Sequence, residues 1–167
     1  SGHFSNFELM AMEIEKSGIN LSAIYRPLNN IFLNVLMERI RKKYICKNQI
    51  KKGTSGVREL LRLYKKDYSI ALMIDQRVSQ GIKSKFFDEE AFTTTIPAQF
   101  IKKFNCKVVP ISIERHNGVN FNIKVEKPME FSINSSTEEI TRELNIWLEK
   151  TILKNPGEWI WSHDRWK

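Results

Sequence analysis

The chain has 167 residues, of which 41% are hydrophobic, and its formal net charge is +8 at pH 7. This length and composition fit one globular domain with a sizeable core and exclude a low-complexity or collagen-like chain. No apolar run approaches the roughly 18 residues that a membrane-spanning helix needs, and no signal peptide is visible. The positive charge favours an anionic partner: nucleic acid, an acidic protein, phosphate groups or an anionic membrane face.

The first part of the chain is predicted to alternate between helices and strands. Helices are predicted over residues 7–17 and from 55 or 56 to 66, with strands over 21–25 and 69–75. Between them, Asn29 or Asn30 is expected to cap a helix that runs to about residue 44. The second helix has apolar residues at helical spacing, which predicts that they face inward, with the basic residues on the other side. These apolar residues are Phe32, Val35, Leu36 and Ile40.

The second part is predicted to contain a polar loop over residues 76–85, a helix, a β-hairpin and a long helix. Thr95 is expected to cap the first of these helices, which ends near Asn105. The pair Asn117-Gly118 predicts a hairpin between strands over 107–115 and 119–127. Ser136 with Glu139 forms a capping box for a helix that runs to residue 154. The pattern predicts an α/β fold, with a layered mixed β-sheet flanked by helices.

The positive charge is concentrated in residues 38–52, which contain one acidic residue and seven basic ones: Arg39, Arg41, Lys42, Lys43, Lys47, Lys51 and Lys52. Arg58, Arg62, Lys65 and Lys66 add a second basic helix. The first cluster is either a surface for an anionic partner or a solvated helix face. Charge alone also allows a nucleic-acid-binding module, but no helix-turn-helix, zinc-finger or RNA-motif signature is present, so no nucleic acid is predicted as a partner.

His3 and Glu8 are the most informative residues. An imidazole can act as general base near neutral pH, and a nearby carboxylate can orient it and stabilise the imidazolium. Five residues of regular helix would leave the two side chains about 140° apart. They are therefore expected to meet only if His3 precedes the helix and Glu8 lies in its first turn. The alternative is a solvated loop histidine and a glutamate favoured by the helix dipole.

Other reactive groups give weaker signals. Cys46 and Cys106 are expected to be two thiols in a reducing compartment. The three histidines, at positions 3, 116 and 163, offer no metal-ligand spacing, so no metal is predicted. His163, Arg165 and Trp166 are expected either at a lipid surface or in a C-terminal tail docked on the core. In the second case, Trp159 and Trp161 would be buried.

Four separated segments resemble, in order and spacing, the late acyltransferases of lipid A biosynthesis, the lauroyl and myristoyl transferases. They are residues 2–8 (GHFSNFE), 25–30 (YRPLNN), 75–76 with 85–87 (DQ and KFF), and 156–167 (PGEWIWSHDRWK). The resemblance implies a glycerolipid acyltransferase-like fold and a single acyltransferase domain over residues 1–167. The family typically has an N-terminal membrane helix and a leading segment before the first motif, and both are expected to be missing here. Departures are Ser5 and Asp88, where glycine is usual, and Phe7, where tryptophan is usual.

The resemblance implies acyl transfer from an acyl carrier protein thioester to a hydroxyl of a phosphorylated glycolipid, the lipid A precursor, without a cofactor. His3 would deprotonate the hydroxyl and Glu8 would orient His3. Asn6, Arg26 and Asp75 are expected to bind substrate. Asp75 could also be catalytic, because ligands gather at the carboxyl ends of strands, and both Arg26 and Asp75 could instead tie down their loops. The implied location is the cytoplasmic face of the inner membrane, at the membrane surface. A glycerolipid or other glycolipid acceptor and a non-catalytic membrane scaffold stay open as alternatives.

Overall fold

A computed structural model describes residues 1–167, except for the side chain of Thr54. The chain divides into two compact units, one of residues Glu8–Leu72 and one of Ser1–Phe7 with Met73–Lys167. Helices alternate with strands, which confirms the α/β class. The strands are distributed over three small sheets. A single acyltransferase domain over residues 1–167 stays a prediction.

The unit Glu8–Leu72 contains a parallel three-stranded sheet. Its elements are α1 (Glu8–Lys16), β1 (Leu21–Tyr25), α2 (Ile31–Tyr44), β2 (Asn48–Lys51), α3 (Thr54–Tyr64) and β3 (Ser69–Ala71). The strand order is β2-β1-β3, and the helices α2 and α3 make the crossovers that parallel strands require. β1 is confirmed at its predicted bounds. The strand predicted over 69–75 ends early, at Ala71, and β2 was missed because only Ile50 of its four residues is buried.

The predicted cap of α2 is confirmed, since the Asn30 side chain accepts hydrogen bonds from the first turn. The predicted orientation of the helix is wrong. Its apolar residues face solvent, and the Phe32 side chain is 88% exposed. The inward face is polar instead: the Glu38 carboxylate accepts hydrogen bonds from the Tyr25 hydroxyl at 2.6 Å and from the Asn34 amide at 2.7 Å.

These hydrogen bonds explain why α2 turns its polar side inward. The bonds from Tyr25 and Asn34, followed by the contribution of Lys51, lower the pKa of Glu38 to about 2. Burial and the bond to Glu38 raise the pKa of Tyr25. On the same face, Arg41 Nε donates to Glu8 Oε1 at 2.8 Å. Rotating α2 to bury its apolar side would break these hydrogen bonds, because Tyr25 and Glu8 lie on other elements of the same unit.

The other unit consists of two hairpins and two helices. Its elements are β4 (Ile82–Phe86), β5 (Glu89–Thr93), α4 (Ile96–Phe104), β6 (Ile111–His116), β7 (Asn120–Val125) and α5 (Thr137–Lys154), followed by a 3₁₀ turn at Pro156–Glu158. The hairpin at Asn117-Gly118 and the capping box of Ser136 are confirmed. Thr95 occupies the N-cap position of α4, but its side chain makes no capping hydrogen bond.

The prediction of a polar loop over residues 76–85 is wrong at its end, because β4 begins at Ile82 and pairs with β5. The connecting turn at Phe87 and Asp88 has positive φ at both positions, 52° and 63°. A two-residue turn of this kind usually carries Asn and Gly, so the residues Phe87 and Asp88 do not predict a turn here. Ser5 also has a positive φ, of 38°. Two of the three departures from the resembled family thus replace glycine where glycine is the least strained residue.

The C-terminal tail packs on its own unit through a buried guanidinium. Arg165 donates to the Phe92 carbonyl and to Thr93 Oγ1, both at 2.6 Å, and stacks over the Phe86 ring. Burial lowers the pKa of Arg165 to about 10, against the charge of Asp75, so the side chain stays charged at neutral pH. The docked tail is therefore confirmed for Arg165.

The aromatic residues of the tail divide between core and surface. Trp159 is buried, as predicted, whereas the prediction for Trp161 is wrong because its side chain is 55% exposed. The Trp161 indole N–H donates to the Pro156 carbonyl, and its ring packs edge-on against Trp159. Trp161 therefore covers Trp159 from outside.

We expect Arg165→Ala to lower the free energy of unfolding by about 2–5 kcal/mol, because it removes two buried hydrogen bonds of the guanidinium and opens a cavity. Urea denaturation followed by tryptophan fluorescence measures this change. Lys167→Ala removes a neighbouring exposed base and should change stability by less than about 0.5 kcal/mol. A stability of Arg165→Ala equal to that of Lys167→Ala would contradict a structural role for the buried guanidinium.

Candidate active site

His3 lies in a short segment that pairs with the C-terminal tail. Its carbonyl accepts a hydrogen bond from the Ile160 N–H at 3.1 Å, and the Ser5 N–H donates to the Glu158 carbonyl at 2.7 Å. Phe4, between them, is buried. These bonds fix the backbone on both sides of His3, so the imidazole is carried by a rigid support rather than by a mobile loop.

Gly2 allows this segment to approach its neighbours closely. A Cβ atom at position 2 would lie 2.9 Å from a Leu148 methyl and 3.3 Å from the Asp75 carboxyl carbon. The first of these distances is shorter than real side chains tolerate. Glycine at position 2 is thus the residue that brings the His3 backbone against Asp75.

Asp75 holds His3 through two hydrogen bonds. Its Oδ1 lies 2.7 Å from His3 Nδ1, and its Oδ2 accepts from the His3 backbone N–H at 2.7 Å. Trp159 Nε1 donates to the same Oδ2 at 2.9 Å. The carboxylate is only 3% exposed, so these donors replace the water that it loses on folding.

The surroundings of Asp75 favour its ionised form. Burial by itself raises the pKa of this carboxyl, but the hydrogen bonds and charge of His3, together with the Trp159 indole, outweigh burial and lower it below the ordinary value. Asp75 is therefore an anion at neutral pH and can stabilise a proton on His3.

The hydrogen bond to Asp75 also sets the chemistry of the imidazole. With Nδ1 donating to the carboxylate, the lone pair of the neutral ring is on Nε2. The Gln76 side-chain nitrogen lies 3.4 Å from Nε2, and the Phe7 ring packs against the imidazole edge-to-face at 4.7 Å. His3 is partly exposed, so a hydroxyl group can approach it. A neutral imidazole in this arrangement can accept a proton at Nε2.

The structure places the other predicted site residues in separate interactions. The Glu8 carboxylate accepts from Arg41 within the unit Glu8–Leu72. Asn6 Oδ1 accepts from the Arg115 guanidinium at 2.7 Å. Arg26 is exposed and directly follows β1. The structure thus brings His3 and Asp75 together. The role predicted for Glu8 in orienting His3, and the predicted binding of substrate by Asn6, Arg26 and Asp75, stay predictions.

Sequence reasoning missed the contributions of Trp159 and Gln76 to the site. A buried indole N–H needs an acceptor, so burial of Trp159 was a signal for a nearby polar partner. Its partner could not be identified without the fold. Gln76 adjoins a candidate residue, but adjacency does not predict which ring nitrogen it faces.

The described residues offer neither an activated thiol at Cys46 nor a metal site, and they include no membrane-spanning helix. Burial raises the pKa of Cys46 to about 11, so this thiol is not an activated nucleophile. No group of three His, Cys, Asp or Glu side chains in the described part of the chain could hold a metal ion. None of the helices described within residues 1–167 is long and apolar enough to cross a membrane.

An imidazole held by a buried carboxylate is the arrangement with which general-base enzymes activate hydroxyl groups. The family model for bacterial lipid A biosynthesis acyltransferases matches residues 1–167. The chain belongs to this family and is an acyltransferase. No individually curated protein gives a significant match.

The Asp75 contacts predict how stability changes with acidity. The unfolded carboxyl titrates near 3.8 and the folded one lower. Its stabilising contribution is therefore complete above about 3.8 and is lost as pH falls through the lower folded pKa. We expect Asp75→Asn to cost about 1–3 kcal/mol at neutral pH, and this difference from the wild type should shrink below pH 4.

Urea denaturation at a series of pH values tests this prediction. Glu143→Gln, which removes an exposed carboxylate from α5, is the control and should have little effect at any pH. A difference between Asp75→Asn and the wild type that stays constant from neutral pH to pH 3 would show that the charge of Asp75 contributes nothing.

Proposed function

We propose that this acyltransferase moves a fatty acyl group from an acyl carrier protein thioester to a hydroxyl of a lipid A precursor, with His3 as the general base. The family supports acyl transfer in lipid A biosynthesis. The 2.7 Å contact between His3 Nδ1 and Asp75 is the observation that carries the mechanism.

In this mechanism, His3 Nε2 takes the proton of the acceptor hydroxyl as its oxygen attacks the thioester carbonyl. A tetrahedral intermediate forms, and the buried Asp75 carboxylate stabilises the imidazolium. The intermediate collapses by breaking its C–S bond, and the leaving thiolate takes the proton from Nε2. The products are an ester and the free carrier thiol. No acyl-enzyme and no cofactor are required.

Binding of the phosphorylated acceptor is assigned to Arg26 and Asn6 in this proposal. A guanidinium matches the geometry of two phosphate oxygens, and Arg26 is exposed directly after a parallel strand, where ligands commonly bind. We place the reaction at the cytoplasmic face of the inner membrane, where the carrier protein and the lipid acceptor would meet.

We expect His3→Ala and Asp75→Asn each to lower kcat by about 10²–10⁴-fold, the usual contribution of general acid–base catalysis. Glu8→Gln should also lower kcat, but by a smaller factor, because the hydrogen bond to His3 Nδ1 comes from Asp75 while the Glu8 carboxylate is bonded to Arg41. The measurement is acyl transfer from a panel of acyl carrier protein thioesters, with circular dichroism to confirm folding. Near-normal turnover by His3→Ala would overturn the mechanism.

The same experiment tests the two carboxylates separately. Equal losses in Asp75→Asn and Glu8→Gln would show that both carboxylates contribute to the reaction, whereas an active Asp75→Asn would show that Asp75 does not orient His3. Glu143→Gln serves as the charge-matched control and should keep full activity. Mass spectrometry of the lipid product distinguishes a lipid A precursor from a glycerolipid as acceptor.

For Arg26, we expect Arg26→Lys to lower kcat/KM roughly tenfold, because a point charge does not replace a bidentate fork. Arg58→Lys, at an exposed arginine of α3, is the matched control and should leave kcat/KM unchanged. The assay compares phosphorylated acceptor with its dephosphorylated form. Equal and mild effects of the two variants would assign Arg26 to the scaffold.

A further inference from the structure

The outer face of α2 combines exposed apolar and exposed basic side chains. Ile31 and Phe32 are 77% and 88% exposed, and no residue of the helix is buried. We call this face the α2 surface and define it by Ile31, Phe32, Leu33, Val35, Leu36, Arg39, Lys42 and Lys43, all of which are exposed. The apolar residues occupy its N-terminal half and the bases its C-terminal half.

The α2 surface cannot be buried by rotation of the helix. Its opposite face is held by the bonds of Glu38 to Tyr25 and Asn34 and by the bond of Arg41 to Glu8. The large apolar side chains are therefore presented outward by a fixed polar network. A contiguous exposed patch of this kind marks an interaction site.

We propose that the α2 surface docks on an anionic lipid membrane. Phe32, Leu36 and Lys43 follow one stripe along the helix, at spacings of four and seven residues. A helix of 14 residues is about 21 Å long, so it can lie in the membrane plane with its apolar side chains among the acyl chains and its bases at the phosphates. This inference goes beyond the proposed reaction and does not depend on its donor or base.

Charge complementarity selects lipid as the occupant. The only acid of α2, Glu38, lies on the opposite face, so the α2 surface carries bases alone. Lysine is depleted in protein–protein interfaces but is favoured in helices that bind anionic membranes. The basic end also borders a shallow surface depression lined by Lys42 and Lys47, with Lys51, which is paired with Glu38, and Glu59 beside them.

Vesicle flotation of the 167-residue chain tests the proposal, with neutral phosphatidylcholine vesicles compared with vesicles that also contain phosphatidylglycerol. We expect tighter binding to the anionic vesicles. Each base near an anionic surface contributes about fivefold in affinity, so Arg39→Gln/Lys42→Gln/Lys43→Gln should weaken that binding about a hundredfold at low salt. The loss should shrink as salt rises. Phe32→Ser/Leu36→Ser should weaken binding to both vesicle types.

Two matched controls keep the test specific. Arg58→Gln/Lys65→Gln/Lys66→Gln removes the same charge from exposed positions on and after α3, and Val119→Ser/Ile133→Ser removes exposed apolar groups elsewhere. Both should bind vesicles like the wild type. Equal losses in the control and test variants would overturn the proposal, because binding would then depend on overall charge or hydrophobicity.

Two other results would also overturn it. If the chain does not bind vesicles but forms a dimer, and Phe32→Ser/Leu36→Ser makes that dimer dissociate, a second copy covers the α2 surface. If it ignores vesicles but binds an acidic carrier protein through Arg39, Lys42 and Lys43, the occupant is a protein. Activity on detergent-dispersed acceptor should be unchanged in the α2 variants, so failure of the docking proposal is distinguishable from failure of the proposed reaction.

Discussion

A single buried carboxylate organises the candidate active site. Asp75 is an anion with almost no contact with water, so its ionisation requires hydrogen-bond donors from the protein. They come from His3 and Trp159, which lie near opposite ends of the sequence. The hydrogen bonds that Asp75 accepts therefore bring together the segment that carries His3 and the C-terminal tail that carries Trp159. The same contacts select the tautomer of the imidazole, so folding and chemistry depend on one group.

The sequence predicted the elements of the fold better than their orientation. Local signals such as the Asn30 cap, the Ser136 capping box and the Asn117-Gly118 turn act within a few residues, and each is confirmed. The orientation of α2 depends instead on hydrogen bonds of Glu38 with a strand and a neighbouring turn of helix. Periodicity identifies the apolar side of a helix, but it does not show whether the polar side has fixed partners.

The candidate site was predictable in part for the same reason. The chemistry of His3 and the position of Asp75 after an apolar run are properties of the sequence. Their contact is not, because residue 75 comes from a distant part of the chain. The missed hairpin at Phe87 and Asp88 illustrates a further limit, since its backbone adopts positive φ without the usual glycine. Packing of the adjoining strand residue Phe86 against Trp159 and Trp166 favours this turn over its local preference.

The pairing of the His3 segment with residues 158–160 has a consequence for synthesis of the protein. The ribosome delivers His3 long before Trp159 and Ile160. The His3 carbonyl can therefore meet the Ile160 N–H, and Asp75 the Trp159 indole, only after residues 159 and 160 have emerged. Contacts of such sequence separation form late and slowly. A nascent chain would thus carry His3 without the contacts that hold its segment in place until residue 160 has been translated.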